Sequence, residues 1–247
     1  MATLLEAHGL TVVRGRRTVL SGVSLKVDSV AAVHLTGING SGKTSLLRVF
    51  AGLAAPRAGR LVRRAACAFV PEKVVLASAM APGEWLAAMR RLRGGDPVDW
   101  SPAAAASGLD PEVLRRSSGT LSKGMLQRIA LLEALHSDSP LLLLDEPFAG
   151  LDPEGRDWLA SGLAARLAGG AAVLLTDHSG AADDRLALTE RLRLGDGSVV
   201  PATAGGRRIA ASHRDGRRLE RTVAEDAADD LLRELLADGW HIEEVRR

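Results

Sequence analysis

A glycine-rich segment between a strand-like and a helix-like stretch constrains the fold of this chain more than any other feature. The segment reads Gly37-Ile38-Asn39-Gly40-Ser41-Gly42-Lys43-Thr44. Before it lies the apolar run 30–36, which predicts a buried strand, and after it residues 44–53 carry apolar side chains at helical spacing. A Gly-x-x-x-x-Gly-Lys-Thr segment between a strand and a helix is the pattern of a phosphate-binding P-loop.

Each residue type in this loop has a chemical reason. Glycines let backbone N–H groups turn toward phosphate oxygens without a Cβ in the way, and the following helix adds a partial positive charge at its start. Lys43 can bring a full positive charge next to the β- and γ-phosphates, and the Thr44 hydroxyl can bind Mg²⁺. We therefore predict a site for ATP and Mg²⁺, with nucleotide-binding residues Gly37, Ile38, Asn39, Gly40, Ser41, Gly42, Lys43, Thr44 and the adjoining Ser45.

Strand-like and helix-like stretches alternate along much of the chain. Apolar runs at 141–144 and 171–175 predict buried strands, and residues 125–136 and 154–168 predict helices. Strands that alternate with helices imply a parallel sheet. We predict an α/β domain over 1–200.

Two further parts of the chain differ in texture from this alternation. Alanine-rich helical pieces broken by glycine and proline predict a helical subdomain inserted at about 73–135. A small α+β extension is predicted over 201–247, where an amphipathic helix follows the arginine-rich stretch 207–221. That stretch fits either contact with an anionic lipid or partner, or a solvated surface hairpin.

An acidic pair ends the predicted strand at 141–144. Asp145 and Glu146 follow four consecutive leucines. A carboxylate at the end of a buried strand beside a P-loop can hold Mg²⁺, directly or through water. The second carboxylate can polarise an attacking water as a general base. The pair predicts nucleotide hydrolysis rather than binding alone.

Four further segments lie between and after the P-loop and the Asp145-Glu146 pair. They are Phe69-Val70-Pro71-Glu72, Leu121-Ser122-Lys123-Gly124-Met125-Leu126-Gln127-Arg128, Ala149-Gly150-Leu151-Asp152 and Thr176-Asp177-His178, and Asp145 follows Leu121 by 24 positions. Together with the P-loop they resemble the Q-loop, signature, D-loop and switch histidine of ABC-type ATPases. The resemblance covers residues 3 to about 200. It implies a P-loop NTPase fold with a mainly parallel sheet, an antiparallel β subdomain and an inserted helical subdomain.

Departures from the usual family pattern narrow the resemblance. The family usually has glycine where Lys123 stands, and glutamine where Met125 and Glu72 stand. These changes, and the tail 223–245, are similar to ATPases of ABC-2-type exporters, which include drug, antibiotic and haem exporters. The aromatic residue that usually stacks on adenine is missing. Arg14 occupies its place, and a guanidinium can stack on a base.

The resemblance implies a division of labour between two identical subunits that bind head to tail. One subunit supplies its P-loop, the Mg²⁺ ligands Thr44, Glu72 and Asp145, the general base Glu146, and His178 at the γ-phosphate. The other subunit supplies the signature and D-loop residues Ser122, Lys123, Gly124, Met125 and Asp152 in trans. ATP then holds the pair closed, and hydrolysis loosens it.

Charge and hydropathy limit the partners that the chain can have. The net charge of +2 lacks the basic excess of a nucleic-acid-binding protein. No apolar run approaches the ~20 residues that span a bilayer, so the implied permease has to be a separate polypeptide. We expect a cytoplasmic protein that is peripheral at the inner face of the cell membrane through that permease.

Two other functions stay open at this point. One is a soluble, non-transport ABC ATPase of cluster assembly, translation or DNA repair. Such proteins often carry tandem ATPase halves, long coiled coils or zinc motifs, none of which the sequence contains. The other is a module that senses ATP without hydrolysing it, against which Glu146 and His178 both argue.

Overall fold

The fold combines β-sheets with packed helices, in a computed structural model that describes residues 1–177, 181–195, 197–202 and 206–246. The first part contains β1 (Thr3–Arg14), β2 (Arg17–Asp28), β3 (Ala32–Thr36), α1 (Lys43–Phe50), β4 (Ala58–Arg63), β5 (Cys67–Val70), α2 (Pro82–Leu92), α3 (Ser101–Ala106) and two 3₁₀ turns, Pro111–Arg115 and Ser118–Thr120. The second part contains α4 (Lys123–His136), β6 (Leu141–Leu144), α5 (Pro153–Ala168), β7 (Ala172–Thr176), α6 (Ala181–Arg185), β8 (Glu190–Gly195), β9 (Ser198–Pro201), β10 (Gly206–His213), β11 (Arg218–Ala224), α7 (Glu225–Ala237) and β12 (Trp240–Arg246).

A six-stranded sheet forms the centre of the molecule. Its strand order is β5-β6-β7-β3-β8-β9, and every neighbouring pair is parallel except β8 and β9. The predicted parallel sheet is therefore confirmed, with one antiparallel strand added at its edge. Because β3, β6 and β7 run in the same direction, the residues that follow each of them meet at one edge of the sheet.

The four leucines of β6 explain how this sheet is buried on both faces. Leu141 and Leu143 pack into one apolar cluster with α1 and the antiparallel sheet, whereas Leu142 and Leu144 pack into another with α4 and α5. Successive side chains of a strand point to opposite faces. A continuous apolar run is thus required of a strand with helices or another sheet on each side.

A second sheet, antiparallel and three-stranded, lies over the face that α1 covers. Its order is β2-β1-β4. Within it, β1 and β2 pair along their length up to a tight turn at Gly15. This sheet corresponds to the antiparallel β subdomain that the resemblance implied.

The inserted helical part contains α2, α3, the two 3₁₀ turns and the start of α4. Leu86 and Trp100 lie in its own apolar cluster. Arg93 ties it to the core, since its Nε donates to Glu133 Oε1 at 2.8 Å and its Nη1 donates to Ser139 Oγ at 2.7 Å. The prediction of helices in this region is confirmed, although residues 73–81 form no helix.

The C-terminal part forms a small sheet with one helix. Its strand order is β11-β10-β12, and α7 packs on it through a cluster that includes Ile209, Ala211 and Leu235. The arginine-rich stretch forms the β10–β11 hairpin, as one of its two interpretations expected. A domain boundary near residue 200 stays a prediction. Among the described residues, no helix has both the length and the apolar character needed to cross a bilayer.

Candidate active site

The loop after β3 has a backbone that only glycine can follow at two positions. Gly37 has φ 143°, and a Cβ there would lie 2.4 Å from the carbonyl oxygen of Leu194. Gly42 has φ 109°, and a Cβ there would lie 2.8 Å from a methyl carbon of Leu20. Both the left-handed φ and the close packing exclude a side chain. The glycine positions of the motif therefore shape the loop before any ligand binds.

Lys43 begins α1 and turns back into this loop. Its side chain is buried, and Nζ donates to the carbonyl oxygens of Gly37 at 2.6 Å and Ile38 at 3.2 Å. Burial lowers the pKa of the Lys43 ammonium, and nearby carboxylates oppose this shift. Those carboxylates are Glu146, Asp145, Glu234 and Glu72. Three of the four are acids that the sequence assigned to the site.

Asp145 and Glu146 lie side by side after β6. Both are buried, and the hydroxyl of Thr176 at the end of β7 contacts each of them. Thr176 Oγ1 donates to Asp145 Oδ1 at 2.9 Å and accepts from the backbone N–H of Glu146 at 2.9 Å. The parallel pairing of Leu144 with Leu175 puts these residues at the same level.

The predicted Mg²⁺ ligands are Thr44, Glu72 and Asp145, and the charges of the two acids act on Lys43 of the loop. Thr44 lies in the first turn of α1, and Glu72 is exposed just after β5. The end of β5 is held beside the acidic pair, because Asp145 donates its backbone N–H to Val70 O at 2.9 Å. Glu72 and Asp145 therefore follow two neighbouring strands, and Thr44 lies in the helix that begins with Lys43.

The hydrogen bonding of the two Asp145 carboxylate oxygens is compatible with a bound cation. Oδ1 accepts from Thr176, whereas Oδ2 is buried and has no hydrogen-bond partner among the described residues. A buried charged oxygen without a partner carries a large desolvation penalty, which a cation would remove. No group of three His, Cys, Asp or Glu side chains gathers as a metal cluster in the described part of the chain. Mg²⁺ typically takes only one or two carboxylates and completes its shell with phosphates and water.

The signature and D-loop segments lie against each other at the starts of α4 and α5. Ser122 caps α4 by accepting from Met125 N–H at 3.2 Å, and Asp152 caps α5 by accepting from Gly155 N–H at 2.7 Å. A Cβ on Gly124 would meet Gly150 O at 3.2 Å. Ser122, Lys123 and Asp152 are exposed, and Gly124 and Met125 are half-buried.

A buried arginine joins these two segments within one subunit. The Arg128 guanidinium donates to Asp152 Oδ1 and to the carbonyl oxygen of Ser107. The pKa of Asp152 is lowered, mainly by the Gly155 N–H and further by Arg128. The signature helix and the D-loop are therefore held together as one unit.

Arg14 and His178 complete the residues that the sequence assigned. Arg14 is exposed at the end of β1, next to the turn to β2. His178 lies outside the described residues. On the exposed side of the loop, Asn39 Nδ2 donates to Glu234 Oε1 of α7 at 2.9 Å, a contact that no motif indicated.

The sequence analysis gave no role to Thr176, Arg128 or His34, whose hydrogen bonds connect the elements around the site. Thr176 and Arg128 both stood inside quoted motifs, but their partners come from other elements. His34 is buried on β3 with Nε2 at 3.2 Å from Asp177 O, directly before position 178. A polar residue in an apolar strand run was the available signal, since buried polar groups require partners.

A family model described as ABC transporter matches residues 20–149, which is more than half of the 247 residues. This chain belongs to the ABC transporter family. It is an ABC-type ATPase that binds ATP as the ATPase subunit of a transporter. The resemblance drawn from the motif order is thereby confirmed.

Similar proteins include both exporters and importers. The cytochrome c biogenesis ATP-binding export protein CcmA of Hyphomonas neptunium is 35% identical over 184 residues, which cover 73% of this chain and 92% of that protein. The zinc import ATP-binding protein ZnuC of Cereibacter sphaeroides is 38% identical over 183 residues, which cover 71% and 73%. A solved ATP-binding subunit of an ABC transporter superposes with a TM-score of 0.71 at 25% identity, covering 96% of this chain and 99% of its own. The predicted fold class is confirmed.

Proposed function

We propose that this ATPase powers an exporter, and that two copies close head to tail on ATP to drive a separate permease. The observation that carries the hydrolytic part of the proposal is that Asp145 and Glu146 are buried together after β6, and that their charges, with that of Glu72, act on the buried Lys43 ammonium. One edge of the sheet then has Lys43 to bind phosphate, Asp145 and Glu72 to bind a metal, and the buried Glu146 to activate water. This arrangement has the parts that phosphoryl transfer to water requires.

The residues of one subunit divide the chemistry. The P-loop amides and Lys43 bind the β- and γ-phosphates, and Glu146 accepts a proton from the attacking water. His178 contacts the γ-phosphate. Thr44, Asp145 and Glu72 would hold Mg²⁺, which would neutralise phosphate charge. Arg14 stacks on the adenine.

The second subunit completes the site from its signature and D-loop. Support comes from the exposure of Ser122, Lys123 and Asp152 on a unit that Arg128 holds rigid within its own chain. A preformed surface loses little conformational freedom when it binds. We infer that Ser122, Lys123, Gly124 and Met125 reach the γ-phosphate of the partner subunit, and that Asp152 lies at the seam.

The permease is a separate membrane polypeptide, and the helical part between α2 and α4 contacts it. The helical part has its own apolar cluster, and Arg93 links it to Glu133. It can therefore move as one rigid unit and transmit that motion to the core. The ATPase then resides at the cytoplasmic face of the membrane. Export is favoured because the CcmA relatives are described as export proteins and because Lys123, Met125 and Glu72 follow the exporter pattern.

Import is the second candidate, because the ZnuC relative is a zinc import protein. A soluble, non-transport ATPase is the third. Purification of the chain with its bound membrane protein separates them. A permease that works without an external substrate-binding protein supports export, whereas dependence on such a protein supports import. Absence of any membrane partner supports the non-transport function.

The hydrolytic assignment is tested by Glu146→Gln, which keeps the shape of the side chain and removes its basicity. We expect ATP binding to persist, a dimer to accumulate with ATP, and turnover to fall by about 100-fold or more. Glu190→Gln is the matched control, since Glu190 is exposed at the opposite end of the sheet, where β8 begins. Full ATPase activity in Glu146→Gln would refute the assignment.

A further inference from the structure

The hydroxyl of Thr176 bridges the two acids of the site. Thr176 is the last residue of β7 and is fully buried. Its Oγ1 donates to Asp145 Oδ1 and accepts from the Glu146 backbone N–H, each at 2.9 Å. A hydroxyl has one donor and two acceptor positions. Its single donor is therefore committed to Asp145, the acid proposed to hold Mg²⁺.

The backbone of Glu146 needs an external constraint. Its φ is 51°, in the left-handed region that side-chain-bearing residues rarely adopt. Such a conformation persists only where the surroundings fix it. The bond from the Glu146 N–H to Thr176 provides one such constraint, and it also satisfies a buried donor.

The side chain of Asp145 is oriented by the same hydroxyl. Oδ1 is occupied by Thr176, while the buried Oδ2 has no hydrogen-bond partner among the described residues. Rotation of the carboxylate would break the Thr176 bond. The hydroxyl thereby fixes the orientation of the carboxylate, which leaves its second oxygen available to a cation.

We propose that Thr176 is a positioning residue for ATP hydrolysis, whose one hydroxyl orients the carboxylate of Asp145 and constrains the backbone of Glu146. The proposal rests on the functions proposed above for those two acids. Serine keeps the hydroxyl, whereas valine keeps nearly the same volume and loses both bonds. A threonine with a merely structural role would affect stability alone.

The test compares Thr176→Val with Thr176→Ser in the 247-residue chain, by steady-state ATPase activity over a series of Mg²⁺ concentrations. For Thr176→Val we expect kcat to fall and the Mg²⁺ concentration for half-maximal activity to rise, each by about 10- to 100-fold. For Thr176→Ser we expect both values to stay within about threefold of the unchanged chain, because the hydroxyl is retained.

Thr189→Val is the matched control. Thr189 Oγ1 also makes a pair of bonds, accepting from Ala32 N–H at 2.9 Å and donating to Ala32 O at 3.1 Å. These bonds lie at the opposite end of β3 from the P-loop. Their loss should lower thermal stability while kcat and the Mg²⁺ requirement stay unchanged.

The proposal is overturned if Thr176→Val matches Thr189→Val, with lower stability but unchanged kcat and Mg²⁺ requirement. If Thr176→Val does not fold, Thr176→Ala is measured by the same two criteria. Failure of the underlying acid assignment gives a different result, because Glu146→Gln would then hydrolyse ATP at the full rate whatever the Thr176 variants do.

Discussion

Two opposing effects act on the pKa of the Lys43 ammonium. Burial disfavours its charge and lowers its pKa, while the carboxylates around it favour the charge. Two loop carbonyls accept its protons at 2.6 and 3.2 Å. The ammonium is thus held inside the loop, and in its proposed role at the phosphates the side chain would need little reorganisation.

Lys43→Ala should lose most of the affinity for ATP. A hydrogen bond to a charged group contributes about 1.5–3 kcal/mol, so the dissociation constant should rise by about 10- to 100-fold. Binding of a non-hydrolysable ATP analogue, followed by calorimetry, measures the change. Lys26→Ala is the control, because Lys26 is an exposed lysine paired with Asp28 at 2.9 Å. Equal affinity in the two variants would contradict the role of Lys43.

At the scale of elements, α7 brings an acid to the edge of the phosphate loop. Glu234 Oε1 accepts from Asn39 Nδ2 at 2.9 Å, and its charge reaches Lys43. The two partners are 195 positions apart in sequence. A carboxylate in this place favours the loop without a ligand and opposes the approach of a polyphosphate.

Glu234→Gln should therefore bind the ATP analogue more tightly. Glutamine can still accept from Asn39, so the variant removes charge rather than the contact. Exposed charge pairs contribute about 0.2–1 kcal/mol, which corresponds to a gain of up to about fivefold.

Salt provides a second readout, because screening should shrink the gain as ionic strength rises. Glu112→Gln is the control, since Glu112 is exposed and pairs with Arg115 in the helical part. Affinity that is unchanged or weaker in Glu234→Gln would show that the acid does not oppose the nucleotide.

At the scale of the whole molecule, stability comes from several apolar clusters and depends on pH through surface carboxylates. The clusters lie on the two faces of the central sheet, in the helical part and under α7. Hydrogen bonds lower the pKa of Asp28, Asp99, Asp152 and Asp215 in parts of the chain that are far apart in sequence. Acid should therefore weaken the fold at several places together.

The sign of this pH dependence follows from linkage. A carboxylate whose pKa is lower in the folded chain binds fewer protons there than when unfolded, so stability falls as the pH falls. For Asp215 the pKa is lowered to about 2, mainly by the backbone N–H of Arg217. Its contribution is complete above its ordinary pKa of 3.8 and is lost as the pH falls toward 2.

Urea unfolding at pH 6, 4 and 3 and constant ionic strength measures this loss. Asp215→Asn should reduce the pH dependence below pH 4, because asparagine can still accept from Arg217 N–H but does not titrate there. Asp138→Asn is the control, because Asp138 is largely exposed and its Oδ2 lies no closer than 3.8 Å to Arg90 Nη1. A slope that is identical in the two variants would contradict the assignment of the titration to Asp215.

Some parts of this protein follow from local chemistry and can be predicted from the order of its residues. The loop at 37–44 needs glycines where the backbone is left-handed or crowded, so its motif carries its conformation. The leucines of β6 specify a strand buried on both faces, and the acids after it mark the edge of the sheet. Motif order then supplied the family, because each segment follows its own strand or begins its own helix.

Tertiary structure decided which side chains meet. The two bonds of Thr176 depend on the register between β6 and β7, and the Arg128 bond to Asp152 depends on how α4 packs beside α5. The Asn39 bond to Glu234 requires the C-terminal part to lie next to the loop. Hydrogen bonds act over about 3 Å, whereas periodicity and spacing in a sequence specify elements but not their approach. The fold alone therefore placed Thr176 against the two acids and Glu234 against the loop at 37–44.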